Sequence, residues 1–183
     1  MNSEAPQKIA VIGNIAGGKT RMSRRLAELH QLPLTHIDSI QFLPGMVIRP
    51  LPETREAINT ITAQDKWLVD GFGPLDILEK RFALAERIVF IDLPLRRHQW
   101  WTIKRLITNL WSPRSELPDG CDERDWEHTK KIFKTLRQVD EKMLPELRRI
   151  LNRDANKSKT IFIHNLAQWN DLYSHGLVNY NTK

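Results

Sequence analysis

A single cysteine, Cys121, stands in a chain of 183 residues. That excludes an intramolecular disulfide framework and fits a reducing compartment. No apolar run reaches the roughly 18 residues of a membrane span. The opening MNSEAPQ lacks the apolar centre of a secretory leader. The expectation is a cytoplasmic chain with no membrane partner. His30, His36, His98, His128, His164 and His175 show no metal-ligand spacing, so a structural metal site is not expected. There is no internal repeat, no low-complexity tract, and no helix-turn-helix, zinc or RNA-binding signature.

What is present is a chain of one-domain size, residues 1–183, with 28 Lys plus Arg against 22 Asp plus Glu. The formal charge of +6 suits a protein that handles phosphorylated ligands, and it also suits contact with nucleic acid. Five short β-rich runs stand out: Lys8–Ile12, Leu34–Asp38, Trp67–Asp70, Arg87–Asp92 and Thr160–His164. Most are continuously apolar, as parallel strands covered on both faces should be. Helical patterns separate them. Residues 19 to 31 place Met22, Leu26 and Leu29 at helical spacing, Pro52–Ala63 opens on Pro52 and Glu53, and residues 95 to 111 make a third. A fourth runs from about Asp125 to Asn152 with Ile132, Phe133, Leu136, Val139, Met143, Leu147 and Ile150 on one stripe, and Pro145 should kink or interrupt it. Alternating strands and helices predict an α/β fold with a parallel sheet and right-handed crossovers. The stretch SPRSELPDGCDERD, residues 112 to 125, is rich in charge and turn residues and reads as an insert between two helices, either a flap or a plain surface loop.

The most specific pattern is VIGNIAGGKTRMS. Gly13, four residues, then Gly18-Lys19-Thr20 satisfy the phosphate-loop pattern in full. Gly13, Asn14, Ile15, Ala16, Gly17 and Gly18 can curl so that successive N–H groups point at phosphate oxygens. The helix that follows adds its positive end, with Arg21 on its first turn. Lys19 can reach the β and γ phosphates, and the Thr20 hydroxyl can ligate Mg²⁺. The motif follows the strand KIAVI and opens the helix TRMSRRLAEL, the context it requires.

A metal there needs an acidic or water-holding partner. Asp70 closes WLVDG, and Asp92 closes IVFIDLP. A carboxylate that ends a buried strand is costly unless paired or metal-linked. Asp70 is favoured because Gly71 lets the chain turn sharply past a phosphate; Asp92 is the lesser candidate. Asp38 ends the second apolar run, LTHID. In an open α/β sheet, ligands sit outside the carboxyl ends of the strands, so Asp38 is expected to orient or deprotonate an acceptor hydroxyl. His36 is expected to point to the opposite side of its strand.

Taken together, KIAVIGNIAGGKTRMSRRLAELHQLPLTHIDSIQFLPG, WLVDGF, ERIVFIDLPL and LPDGCDER resemble the small P-loop kinases related to adenylate kinase. Within these, the sequence is most similar to the topology-modulation (FlaR-like) proteins, over roughly residues 8 to 165. The resemblance implies a three-layer α/β/α fold, a five-stranded parallel sheet of order 2-3-1-4-5, ATP at the phosphate loop, Mg²⁺, an acceptor site near Asp38 and a helical lid at 112–125. It implies that Asp70 stands near the Mg²⁺ waters and that arginines close over the transferred phosphoryl. Arg105, Arg114 and Arg124 are the candidates for that role. It places Asn165 and Leu166, in a loop HNLAQWNDL, beside the adenine.

The sequence departs from the family at two points. Gly73, Pro74 and Leu75 follow Asp70-Gly71-Phe72 where the relatives of adenylate kinase carry an arginine, and Arg21 replaces a small residue. The expected activity is Mg²⁺-dependent phosphoryl transfer from ATP to a small acceptor, a nucleotide, nucleoside or other hydroxyl or phosphate compound. The alternatives are a nucleotide-gated nucleic-acid-binding protein, or a P-loop ATPase without an acceptor.

Overall fold

The computed structural model describes residues 5–109 and 126–177, apart from the side chains of 46, 105–109 and 126–131. The expected insert at 112–125, with Arg114 and Arg124, therefore lies outside the described residues, as does the side chain of Arg105. Strands β1 (Lys8–Gly13), β2 (Leu34–His36), β5 (Trp67–Asp70), β6 (Arg87–Ile91) and β7 (Thr160–Ile163) form the large sheet; β3 (Phe42–Leu43) and β4 (Val47–Ile48) form a small hairpin. The helices are α1 (Lys19–His30), α2 (Ile37–Gln41), α3 (Leu51–Thr62), α4 (Leu75–Leu84), α5 (Leu95–Asn109), α6 (Trp126–Gln138), α7 (Leu144–Leu151), α8 (Asp154–Lys157) and α9 (Leu166–His175).

Every pairing in the large sheet is parallel, and the spatial order is β2-β5-β1-β6-β7. Counted among those five strands alone, this is the expected order 2-3-1-4-5. Side-chain alternation builds the three layers. Ala10, Ile12, Ile88 and Phe90 face a core shared with Ile58, Leu78, Phe82 and Leu147 of α3, α4 and α7. Ile9, Val11, Val89 and Ile91 face the other core, with Met22 and Leu26 of α1 and Trp169 and Leu172 of α9. Ile9 to Ile12 are fully buried, so β1 is the centre of the molecule and its C-terminal end is held on both sides. Each buried Ile or Val there contributes about 1.5–3 kcal/mol relative to exposure.

The long fourth helical pattern resolves into α6, a π-helical turn at Val139–Met143 and α7, with Pro145 in the first turn of α7. A proline there loses no backbone hydrogen bond of its own helix, so the stripe continues across the break. Two further differences concern the second run and the last loop. β2 stops at His36, and Asp38 sits on the first turn of α2 rather than on a strand. The segment HNLAQWNDL is helical from Leu166 onward. Helix α4 also arises where no helix is expected, because Leu78 and Phe82, four apart, bury against the sheet.

Candidate active site

The phosphate loop leaves β1 at Gly13, whose φ of 154° brings its backbone against β6; a Cβ there would stand 2.5 Å from the Ile91 carbonyl oxygen. It enters α1 at Gly18, the helix N-cap, with φ 76°. Both positions need the freedom of glycine. Between them Ala16 also adopts a positive φ, 53°. A non-glycine residue in that conformation is uncommon and marks a loop held by its surroundings.

Those surroundings are specific. Asn14 is fully buried; its Oδ1 accepts the Ile15 N–H at 2.8 Å, and its Nδ2 donates to the Leu136 carbonyl of α6 at 3.1 Å. Lys19 Nζ donates to the Asn14 carbonyl at 2.8 Å, so the ammonium already lies across the mouth of the loop. His98 of α5, also fully buried, sets Nδ1 2.8 Å from the Ile15 carbonyl. Trp169 of α9 lies against Gly18, with Nε1 3.2 Å from where a Cβ would be. Thr20 is on the first turn of α1, half-buried.

Asp70 is the last residue of β5, paired in register with Val11 of β1 and His36 of β2. It is 5 % exposed. His36 Nδ1 lies 3.0 Å from Asp70 Oδ2, so its ring turns toward the crevice. The expectation that it points to the other side fails, because residues two apart on a strand share a face, so alternation itself puts His36 on the crevice side. Oδ2 itself makes no hydrogen bond among the described residues. Behind it, the fully buried Arg81 donates from Nη2 to the carbonyls of Gly71 (2.6 Å) and Phe72 (3.1 Å). Burial pushes the Arg81 pKa down to about 10, opposed by the charge of Asp70. Arg81 thereby pins the turn that follows Asp70, a role no local sequence signal announces.

Asp92 is differently placed. Arg148 of α7 grips it with both ends of the guanidinium, Nε to Oδ2 at 2.8 Å and Nη2 to Oδ1 at 2.6 Å. His164 Nδ1 adds a contact at 3.6 Å. Its buried charge is compensated by a guanidinium, whereas Asp70 Oδ2 meets only an imidazole, His36, among the described residues. Arg21 lays its guanidinium over Tyr173 (4.7 Å to the ring centroid) and Trp169 (5.6 Å), a cation–π arrangement on the outer side of α1. Asn165 caps α9, its side chain accepting the Gln168 N–H at 2.9 Å, and Leu166 opens that helix. Among the described residues no group of three or more His, Cys, Asp or Glu converges as a metal site. No helix among them is long and apolar enough to cross a membrane.

The structure thus brings Lys19, Thr20 and Asp70 to neighbouring strand ends. Asp38 stays near, at the start of α2 beyond His36. Sequence reasoning missed His36, His98, Arg81 and Trp169, which come from β2, α5, α4 and α9. Only the burial of a polar residue between apolar neighbours hints at any of them.

No family model and no curated protein matches the chain. Among solved structures, shikimate kinase from Acinetobacter baumannii, in complex with shikimate, superposes with a TM-score of 0.57 at 16% identity, covering 92% of this chain and 93% of that one. A candidate kinase from Chloroflexus aurantiacus (TM-score 0.41, 14% identity, 69% and 78% covered) and an uncharacterised protein from Eubacterium ventriosum (0.47, 14%, 91% and 95%) are more distant. The chain shares its fold with that shikimate kinase. At this identity the likeness concerns the fold alone.

Proposed function

We propose that this protein is a P-loop kinase that moves the γ-phosphoryl group of ATP to a small-molecule acceptor with the help of Mg²⁺, of the adenylate kinase-related, FlaR-like kind. The observation that carries this is the pairing of a complete phosphate loop, Gly13 to Thr20, with a buried carboxylate, Asp70, one strand away. Amides of Gly13 to Gly18 and the start of α1 take the phosphates. Lys19 exchanges the Asn14 carbonyl for phosphate oxygen, a stronger, charge-assisted partner.

The residues present fit Mg²⁺. Asp70 Oδ2 is buried with no hydrogen bond among the described residues, its neighbour being His36 Nδ1 at 3.0 Å, and Thr20 supplies a hydroxyl. One or two protein oxygens suffice for an ion that keeps its waters and takes the rest of its ligands from phosphates. Bound there, Mg²⁺ would neutralise charge on the transferred group. Asp38, half-buried at the start of α2, orients the acceptor hydroxyl. Arg105, Arg114 and Arg124 are assigned to the transferred phosphoryl, and Asn165 and Leu166 to the edge of the adenine. Arg21 supports the base side of α1 through Trp169 and Tyr173. Nothing in the fold or the site favours nucleic acid as the partner. The chain is assigned to the cytoplasm.

The test is a screen of acceptors with ATP and Mg²⁺ that follows ADP and labelled product together. Coupled formation of both is expected, with Lys19→Ala slower by about 100-fold or more. ADP without labelled product points to a plain ATPase. Full turnover in Lys19→Ala refutes the assignment.

A further inference from the structure

We propose that His98 is a positioning residue that holds the phosphate loop open, by keeping the Ile15 carbonyl turned out of the cradle. This rests on the nucleotide-binding reading above.

A loop that binds phosphate with its amides must face its carbonyls outward, since an inward carbonyl oxygen repels the ligand and blocks an amide. Outward carbonyls then need partners of their own. Residues 14 to 17 belong to no helix or strand, so no ladder supplies them. Lys19 serves the Asn14 carbonyl, but nucleotide binding would withdraw it. The Ile15 carbonyl is served by His98 Nδ1 at 2.8 Å, from a ring that is fully buried and beyond the reach of bulk water. The same ring walls the next bend. A Cβ on Gly17 would stand 2.9 Å from His98 Cε1 and 3.4 Å from Nδ1. One side chain therefore templates the outer surface of the loop at two residues.

The carbonyl also dictates the tautomer, because only an Nδ1–H can donate to it. Nε2 is then the bare nitrogen; it is buried and has no hydrogen bond among the described residues. A proton there would place a charge in the interior. Burial lowers the His98 pKa; the Ile15 and Leu93 carbonyls and the Asp140 carboxylate work the other way, and the Lys19 ammonium adds to the lowering. The ring stays neutral, with its proton on the loop side. Position 98 is set by the sheet. α5 begins directly after β6, the strand beside β1, so its first turns pass under the loop.

Two variants of the full chain separate this role from simple packing. His98→Asn places an amide N–H where Nδ1 was but leaves the larger void; His98→Leu fills the space and has no donor. Both should lower the melting temperature. Titration with ATP should show His98→Leu binding about tenfold more weakly and His98→Asn within about threefold of the wild type. Equal weakening, no weakening, or an order that follows stability overturns the proposal. Side-chain ¹⁵N NMR of the wild type near neutral pH should show His98 with a protonated Nδ1 and a bare Nε2. The opposite tautomer overturns the proposal without any variant having to fold. Failure of the wild type to bind ATP would instead sink the nucleotide reading, while the tautomer measurement would still test how the loop is held.

Discussion

Replacing Gly13 with alanine should be among the most damaging single-methyl changes in this chain. The new Cβ would lie 2.5 Å from the Ile91 carbonyl oxygen, against an ordinary contact that begins at 3.4 Å. The gap to be made is therefore about 0.9 Å. The obstructing atom is backbone, in register with Gly13 across the β1–β6 pair at the middle of the sheet. No side-chain rotation relieves it; the two strands must part at their C-terminal ends. Parting them weakens one or two ladder hydrogen bonds, at about 1 kcal/mol each. The φ of 154° adds strain of about 1–3 kcal/mol for a residue with a Cβ. Together the loss is about 2–5 kcal/mol, or a fall in melting temperature of roughly 10 °C for a domain of this size. Gly45→Ala is the matched control. Its φ is 76° and nothing lies within 4 Å of the added methyl, so only the backbone term of about 1–2 kcal/mol applies. Urea denaturation with an unchanged slope gives both numbers. If Gly13→Ala were no worse than Gly45→Ala, the close approach of β1 and β6 at the loop would be refuted.

Two further outcomes follow from the charges. The His98 pKa lies below its ordinary 6.5, so between that lowered value and 6.5 the unfolded chain binds more protons than the folded one. Stability from this group is present above pH 6.5 and lost as pH falls through that window. The drop in denaturation midpoint from about pH 7.5 to 5.5 should be smaller in His98→Asn than in wild type. His30, shifted in the same direction by burial, contributes equally to both proteins. Identical drops would contradict the assignment. Arg148→Met leaves the Asp92 carboxylate, 6 % exposed, without its two-pronged partner. After allowance for screening of the half-exposed arginine, the cost should be about 2 kcal/mol, and Asp92→Asn in the same chain should recover part of it. A cost under about 0.5 kcal/mol would mean that solvent already compensates Asp92.

The phosphate loop was legible because its chemistry is local. Gly13, Gly18, Lys19 and Thr20 act through backbone freedom and reach within eight consecutive residues. The strand order was legible through resemblance, and the strands themselves through apolar runs buried on both faces. LTHID reads as one strand-like run ending at Asp38, whereas the structure gives residues 37–41 to a short helix. HNLAQWNDL reads as a loop, although Asn165 caps it and Trp169 and Leu172 anchor it as a helix against α1. Asp70 and Asp92 looked alike in sequence. Arg148, 56 residues from Asp92, separates them.

Residues close in the chain suffice for a parallel α/β sheet that presents a glycine-rich loop, a lysine and a threonine at one strand end. Those features depend on periodicity and on contacts a few residues apart. It takes the folded molecule to settle which carboxylate a guanidinium grips, which histidine turns toward the crevice, and what holds the loop in shape. Each of these is fixed by a partner that crossovers bring from a distant segment: Arg148 to Asp92, His36 to Asp70, His98 to Ile15. Hydrogen bonding and desolvation fall off within a few ångströms, and local sequence carries no record of which distant residue will come that close.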